Sequence, residues 1–137
     1  MTKKTFIALV IACSFGCTKK QTSVLNCPAQ MCTMNFASVT VQFQDKNGGA
    51  VTVKNYSVLN QRTNERLTSS GTGINSAGHY TVVDDGMLKK LSTEGDEIVV
   101  TATHPTTNQI KTATYKISGG CNCHVERIAG PQVIAFD

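Results

Sequence analysis

Phe36–Gln44, written FASVTVQFQ, sets the fold class of this 137-residue chain. Ala37, Val39, Val41 and Phe43 point one way along it, and Ser38, Thr40, Gln42 and Gln44 point the other. A period of two with β-branched residues on one side is a half-buried strand, because successive side chains leave a strand on opposite faces. Asp45-Lys46-Asn47-Gly48-Gly49 follows, and Asn-Gly is a hairpin dipeptide. Ala50 to Gln61 resumes strand character, but its alternation slips near Asn55, which predicts a bulge or bend.

The rest of the chain repeats this grammar. Arg62-Thr63-Asn64-Glu65 is a turn, and Arg66 to Ser70 a short edge strand. Gly71 to Gly78 is a loop by composition, His79 to Asp84 a strand, and Met87 to Leu91 a single helix-like turn. Glu97 to His104 and Ile110 to Ser118 are strong strands separated by Pro105 to Gln109. Cys121 to Ile128 alternates again, and Gln132 to Phe136 is a last short strand. This gives about seven or eight short strands with turns every eight to twelve residues, the spacing of an all-β antiparallel sandwich. Val39, Val41, Phe43, Val82, Ile98, Val100 and Ile134 are its expected core.

The N-terminus has a different character. Lys3 and Lys4 precede an apolar run from Phe6 to Ala12, and Cys17 closes the segment before Thr18-Lys19-Lys20. The run is far short of the roughly 20 residues a spanning helix needs, so the layout is that of an export signal. Ending on Cys, it resembles a bacterial lipoprotein signal, whose Cys is acylated and becomes the mature N-terminus. Signal length favours Cys17 as the acylated residue, with Cys13 as the alternative, since Val10-Ile11-Ala12-Cys13 matches the usual residue types. The resemblance implies a signal peptide over 1–16, a flexible tether over 17–26 and a domain over 27–137, carried by a lipid anchor in a bacterial cell envelope. Thr18, rather than Asp, after Cys17 fits the outer membrane if the source is Gram-negative.

Taking the first 16 residues from 137 leaves 121, one domain of ordinary size. Lys and Arg total 13 against 9 Asp and Glu, and with Lys3 and Lys4 gone with the signal the balance is 11 against 9, too even for a nucleic-acid partner. Six cysteines divide between the signal, with Cys13 and Cys17, and the domain, with Cys27, Cys32, Cys121 and Cys123. In an exported protein the domain's four read as two disulfides. Three pairings exist. Two cross-links tying the domain's start to its end are favoured over Cys121–Cys123, whose alternate-residue sulfurs would project from one strand face too far apart to bond. A bridge such as Cys27–Cys123 would close a loop approaching 100 residues and contribute about 4–5 kcal/mol in the chain-entropy model.

Other chemistry is sparse. Cys121, Cys123 and His124, with Cys27 and Cys32, have the softness for zinc or Cu(I), which makes metal binding or thiol redox the alternative function. The spacing lacks the C-x-x-C knuckle. His79 and His104 stand apart from other ligands, and Asp84-Asp85-Gly86 with Asp96 and Glu97 lacks the dense acidic spacing of a calcium loop. No G-x-S-x-G, H-E-x-x-H or P-loop is present.

SVTVQFQDKNGGAV, then GHYTVVDDG and LSTEGDEIVVTA, resemble the opening hairpin and later strands of transthyretin-like or carboxypeptidase regulatory-like domains over about residues 36 to 117. The resemblance implies an accessory module of an exported protein with no catalytic residue and no cofactor. The expectation is therefore a non-catalytic binding or structural module, anchored to a membrane and facing an envelope protein or glycan.

Overall fold

The computed structural model describes residues 25–68 and 76–137. The signal segment over 1–16, the lipidation candidates Cys13 and Cys17, and most of the tether lie outside the described residues. Among the described residues, eight strands form two sheets that enclose one core. β1 (Ser38–Gln44) is central in the smaller sheet, flanked by β4 (His79–Asp84) and β8 (Val133–Ala135). The larger sheet has the order β3 (Glu65–Arg66), β2 (Lys54–Asn60), β5 (Asp96–Thr103), β6 (Ile110–Ser118) and β7 (Glu126–Ala129). A 3-10 helix, Asp85–Lys90, follows β4 where a helix-like turn was expected.

Alternation places the core as expected. Val39, Val41, Phe43, Val82, Ile98, Val100 and Ile134 are all buried. Phe43 lies at the centre of an aromatic group with Tyr56, Tyr80 and Phe136, ring centroids 5.5–6.1 Å apart. All pairings are antiparallel except β1 with β8, which is parallel.

The Asp45–Gly49 turn forms, with Gly48 at φ 83° and the Asp45 carboxylate accepting the N–H groups of Asn47 and Gly49. It does not join a hairpin, however. Beyond an isolated bridge, Gln44 to Ala50, the chain leaves the small sheet and β2 enters the large one. Asn55, at φ 53°, sits in the register shift between Lys54 and Ser57, where the sequence pattern slips.

One end of the sandwich collects the start of β1, the end of β4, the 3-10 helix, the start of β5 and the end of β6. The irregular arm of residues 25–37 leads into this end. The Asp45–Gly49 turn, the β5–β6 turn and Asp137 lie at the other.

Candidate functional site

The arm carries Pro28 and makes no ladder, so it depends on side chains to fix it. Two disulfides do so. Cys27 bonds Cys121 and Cys32 bonds Cys123, with Cα–Cα distances of 5.2 and 5.3 Å. Start and end of the domain are thus cross-linked, with Cys121 and Cys123 each serving a different partner. Gln30 Nε2 also donates to the Cys121 carbonyl.

The receiving segment is a turn rather than the strand expected over Cys121–Ile128, and β7 begins only at Glu126. The reason is Gly119-Gly120. Gly120 adopts φ 61°, and its N–H donates to the Leu88 carbonyl. A Cβ at either glycine would press on Leu91 or Thr93. Thr93 then accepts the Cys121 N–H at Oγ1 and the Asn122 side-chain amide at its carbonyl. The cysteines are presented from a turn packed against the loop between the 3-10 helix and β5.

The residue after each member of the second bridge completes the site. Thr33 Oγ1 lies 2.8 Å from His124 Nε2, and His124 Nδ1 lies 2.7 Å from Asp85 Oδ2. An ionised carboxylate only accepts, so Nδ1 carries a proton and donates to Asp85, while the Thr33 hydroxyl and Nε2 share the second bond. Asp85 also accepts the N–H groups of Ala37 and Val125, each at 2.8 Å. Burial pushes the Asp85 carboxyl up, but these hydrogen bonds and the nearby His124 outweigh it and hold it below the usual carboxylate range. A single carboxylate thereby ties together the arm, the 3-10 helix and the lead into β7.

Hydroxyl, imidazole and carboxylate stand here in the order of an activated nucleophile. Acyl transfer also needs a bound substrate and donors aimed at its developing oxyanion. Thr33 is on the exposed arm, and the described cleft opens on Val125, Glu126 and Arg127 instead. The three groups join the arm to the 3-10 helix.

That cleft, about 490 Å³, runs along β1. β8 pairs with Gln42–Gln44, so among the described residues the Ser38–Val41 half of the β1 edge on that side has no strand beside it. Ser38, Thr40, Gln42, His79, Arg127 and Gln132 give the cleft a polar lining.

The remaining candidates are dispersed. His104 Nδ1 accepts the N–H groups of Thr106 and Thr107 and thus closes the β5–β6 turn. Asp84 caps the 3-10 helix through the Gly86 N–H. Asp96 is buried and held by Arg62 and Asn60, while Glu97 faces solvent. Among the described residues no three His, Cys, Asp or Glu side chains are set to hold a metal ion. The cysteine sulfurs converge at one end with His124, but each is bonded to another sulfur. Thr33 was not legible as a site residue; the signal was its place next to Cys32, matched by that of His124 next to Cys123. No helix among the described residues is long and apolar enough to cross a membrane.

No protein-family model, curated protein or solved structure matches the chain.

Proposed function

We propose that the chain is a lipid-anchored accessory module of a bacterial cell envelope, which binds an envelope protein or glycan and catalyses no reaction. The observation that carries this reading is the double cross-link of the arm to the β6–β7 connection. Stable disulfides belong to oxidising compartments outside the cytoplasm. They clamp the stretch of chain that follows the segment resembling a lipoprotein signal. The resemblance to transthyretin-like modules supports an accessory role, and the end opposite the arm is free to present loops to a partner.

Labelled palmitate tests the reading in a bacterial host. Incorporation that is lost in Cys17→Ser and kept in Cys13→Ser is the expected result; the reverse pattern moves the anchor to Cys13. An unlabelled, unprocessed chain in the cytosol overturns the proposal.

A second reading, metal binding or thiol redox, draws on the convergence of Cys27, Cys32, Cys121, Cys123 and His124 at one end. Titration of thiols in unreduced protein separates the two. Four free thiols with bound zinc or copper would favour the second; no thiol and no metal favours the first.

A further inference from the structure

Seven large apolar side chains are exposed among the described residues, and four of them, Leu25, Met31, Met34 and Phe36, are on the arm. Met31 and Met34 are fully exposed, and Phe36 is 70% exposed. Single exposed apolar residues are ordinary, but a cluster rarely stays uncovered on a soluble domain. The arm cannot fold these groups inward, because two disulfides and the Thr33–His124 hydrogen bond fix it between them.

We infer that the arm is a second membrane contact, in which Met31, Met34 and Phe36 enter the interfacial layer of the bilayer holding the anchor. This rests on the anchoring reading above. Leu25 is eight steps along the chain from Cys17, at most about 28 Å when extended, so a lipid on Cys17 keeps the arm next to the bilayer surface. Confinement by the anchor raises the arm's effective concentration at the bilayer and lets a weak contact fill.

Composition fits the same occupant. Gln21 to Gln44 contains no Asp, Glu, Lys or Arg, so the arm enters the interface without dehydrating a charge. Lys19 and Lys20, next to the anchor, suit anionic headgroups. A lipidated cysteine with its diacylglyceryl group holds a protein at the bilayer without fixing its orientation, and an added apolar contact on a fixed arm orients the attachment.

The chain has no Trp, which allows single reporters. Met34→Trp places one on the arm, and Ile110→Trp places one at the opposite end, where Ile110 is 65% exposed. Each acylated, full-length protein is reconstituted into phosphatidylcholine–phosphatidylglycerol vesicles with brominated acyl chains. The expected result is quenching of about twofold or more for the reporter at 34 and none at 110. Met31→Trp, also at a fully exposed position, repeats the measurement should the first variant misfold.

Protein that floats with the vesicles while the arm reporter stays unquenched overturns this inference and leaves the anchor intact. A reporter at 34 shielded from aqueous iodide but not reached by bromine also overturns it, and makes a protein surface the occupant. Protein that neither floats nor carries label overturns the anchoring reading and the inference with it.

Discussion

Thr33 and His124 share a 2.8 Å hydrogen bond because each is the next residue along the chain from a partner in the Cys32–Cys123 bridge. The covalent bond sets their separation, and Asp85 then orients the ring. His124→Ala removes two hydrogen bonds but leaves Asp85 accepting from Ala37 and Val125, and about 1–2 kcal/mol of stability should be lost. Asp85→Ala strands both N–H groups as well and should lose about 3 kcal/mol or more. Urea unfolding of the two variants checks the ranking; equal losses would mean that Asp85 acts only through His124.

The two bridges should be strongly non-additive. They span 94 and 91 residues and nearly overlap. In the chain-entropy model either one alone contributes about 4–5 kcal/mol, whereas the second, added to the first, closes a ring of about seven residues and contributes about 2 kcal/mol. Replacing one pair by serine should therefore lower stability by about 2 kcal/mol, and replacing both by about 7 kcal/mol. Typical domain stability is about 5–15 kcal/mol, so the four-serine protein should be close to unfolding at room temperature. Denaturant midpoints decide; a four-serine loss no larger than the two single-pair losses together would refute the overlap.

Acid should unfold the protein through Asp96. Its side chain is 2% exposed, and its carboxylate takes two hydrogen bonds from Arg62, at 2.6 and 2.8 Å, and one from Asn60 at 2.7 Å. Burial pushes this carboxyl up, but the bonds from Arg62, Asn60 and Ser92 prevail and hold it at about 2, against the usual 3.8. A folded-state pKa below the unfolded one contributes stability that is complete above pH 3.8 and lost as pH falls through about 2. The amount is about 2 kcal/mol. Melting temperatures of the wild type and Asp96→Asn across this window should converge at the acid end; a constant gap would show that the ionised form is not the stabilising one.

Tyr115→Phe should stabilise the domain. The ring is buried, its hydroxyl finds no hydrogen-bond partner among the described residues, and burial pushes its ionisation up to about 12. Removing an unpaired hydroxyl while keeping the ring should gain about 1 kcal/mol. A loss of that size instead would reveal a partner for the hydroxyl, such as an internal water.

Much of this architecture was legible because alternation is a local signal. FASVTVQFQ and IKTATYKIS carry their faces in their own order of residues, and Ser38–Gln44 and Ile110–Ser118 are strands. What lay out of sight was decided at a distance. Asn47-Gly48 makes its turn, but past Ala50 the chain crosses to the other sheet, and no local pattern records which sheet a strand joins. The parallel pairing of β8 with β1 brings Ile134 beside Phe43 from 91 residues away. At the site, cysteine parity foretold two cross-links between the ends, but the choice of partners came from a turn at Gly120 that alternation had disguised as strand. Asp85 stood in a turn motif, and only the fold shows that its carboxylate gathers three separate segments.

The cross-linked arm also sets how the domain bears tension. A pull from the N-terminal side travels along residues 25–27 and crosses at once, through sulfur, into the turn after β6. β6 is the long strand paired with both β5 and β7, so the strain spreads through the largest sheet in shear. β1, which comes next in sequence and is paired over only three residues on its β8 side, is bypassed and cannot be peeled from the sandwich one rung at a time.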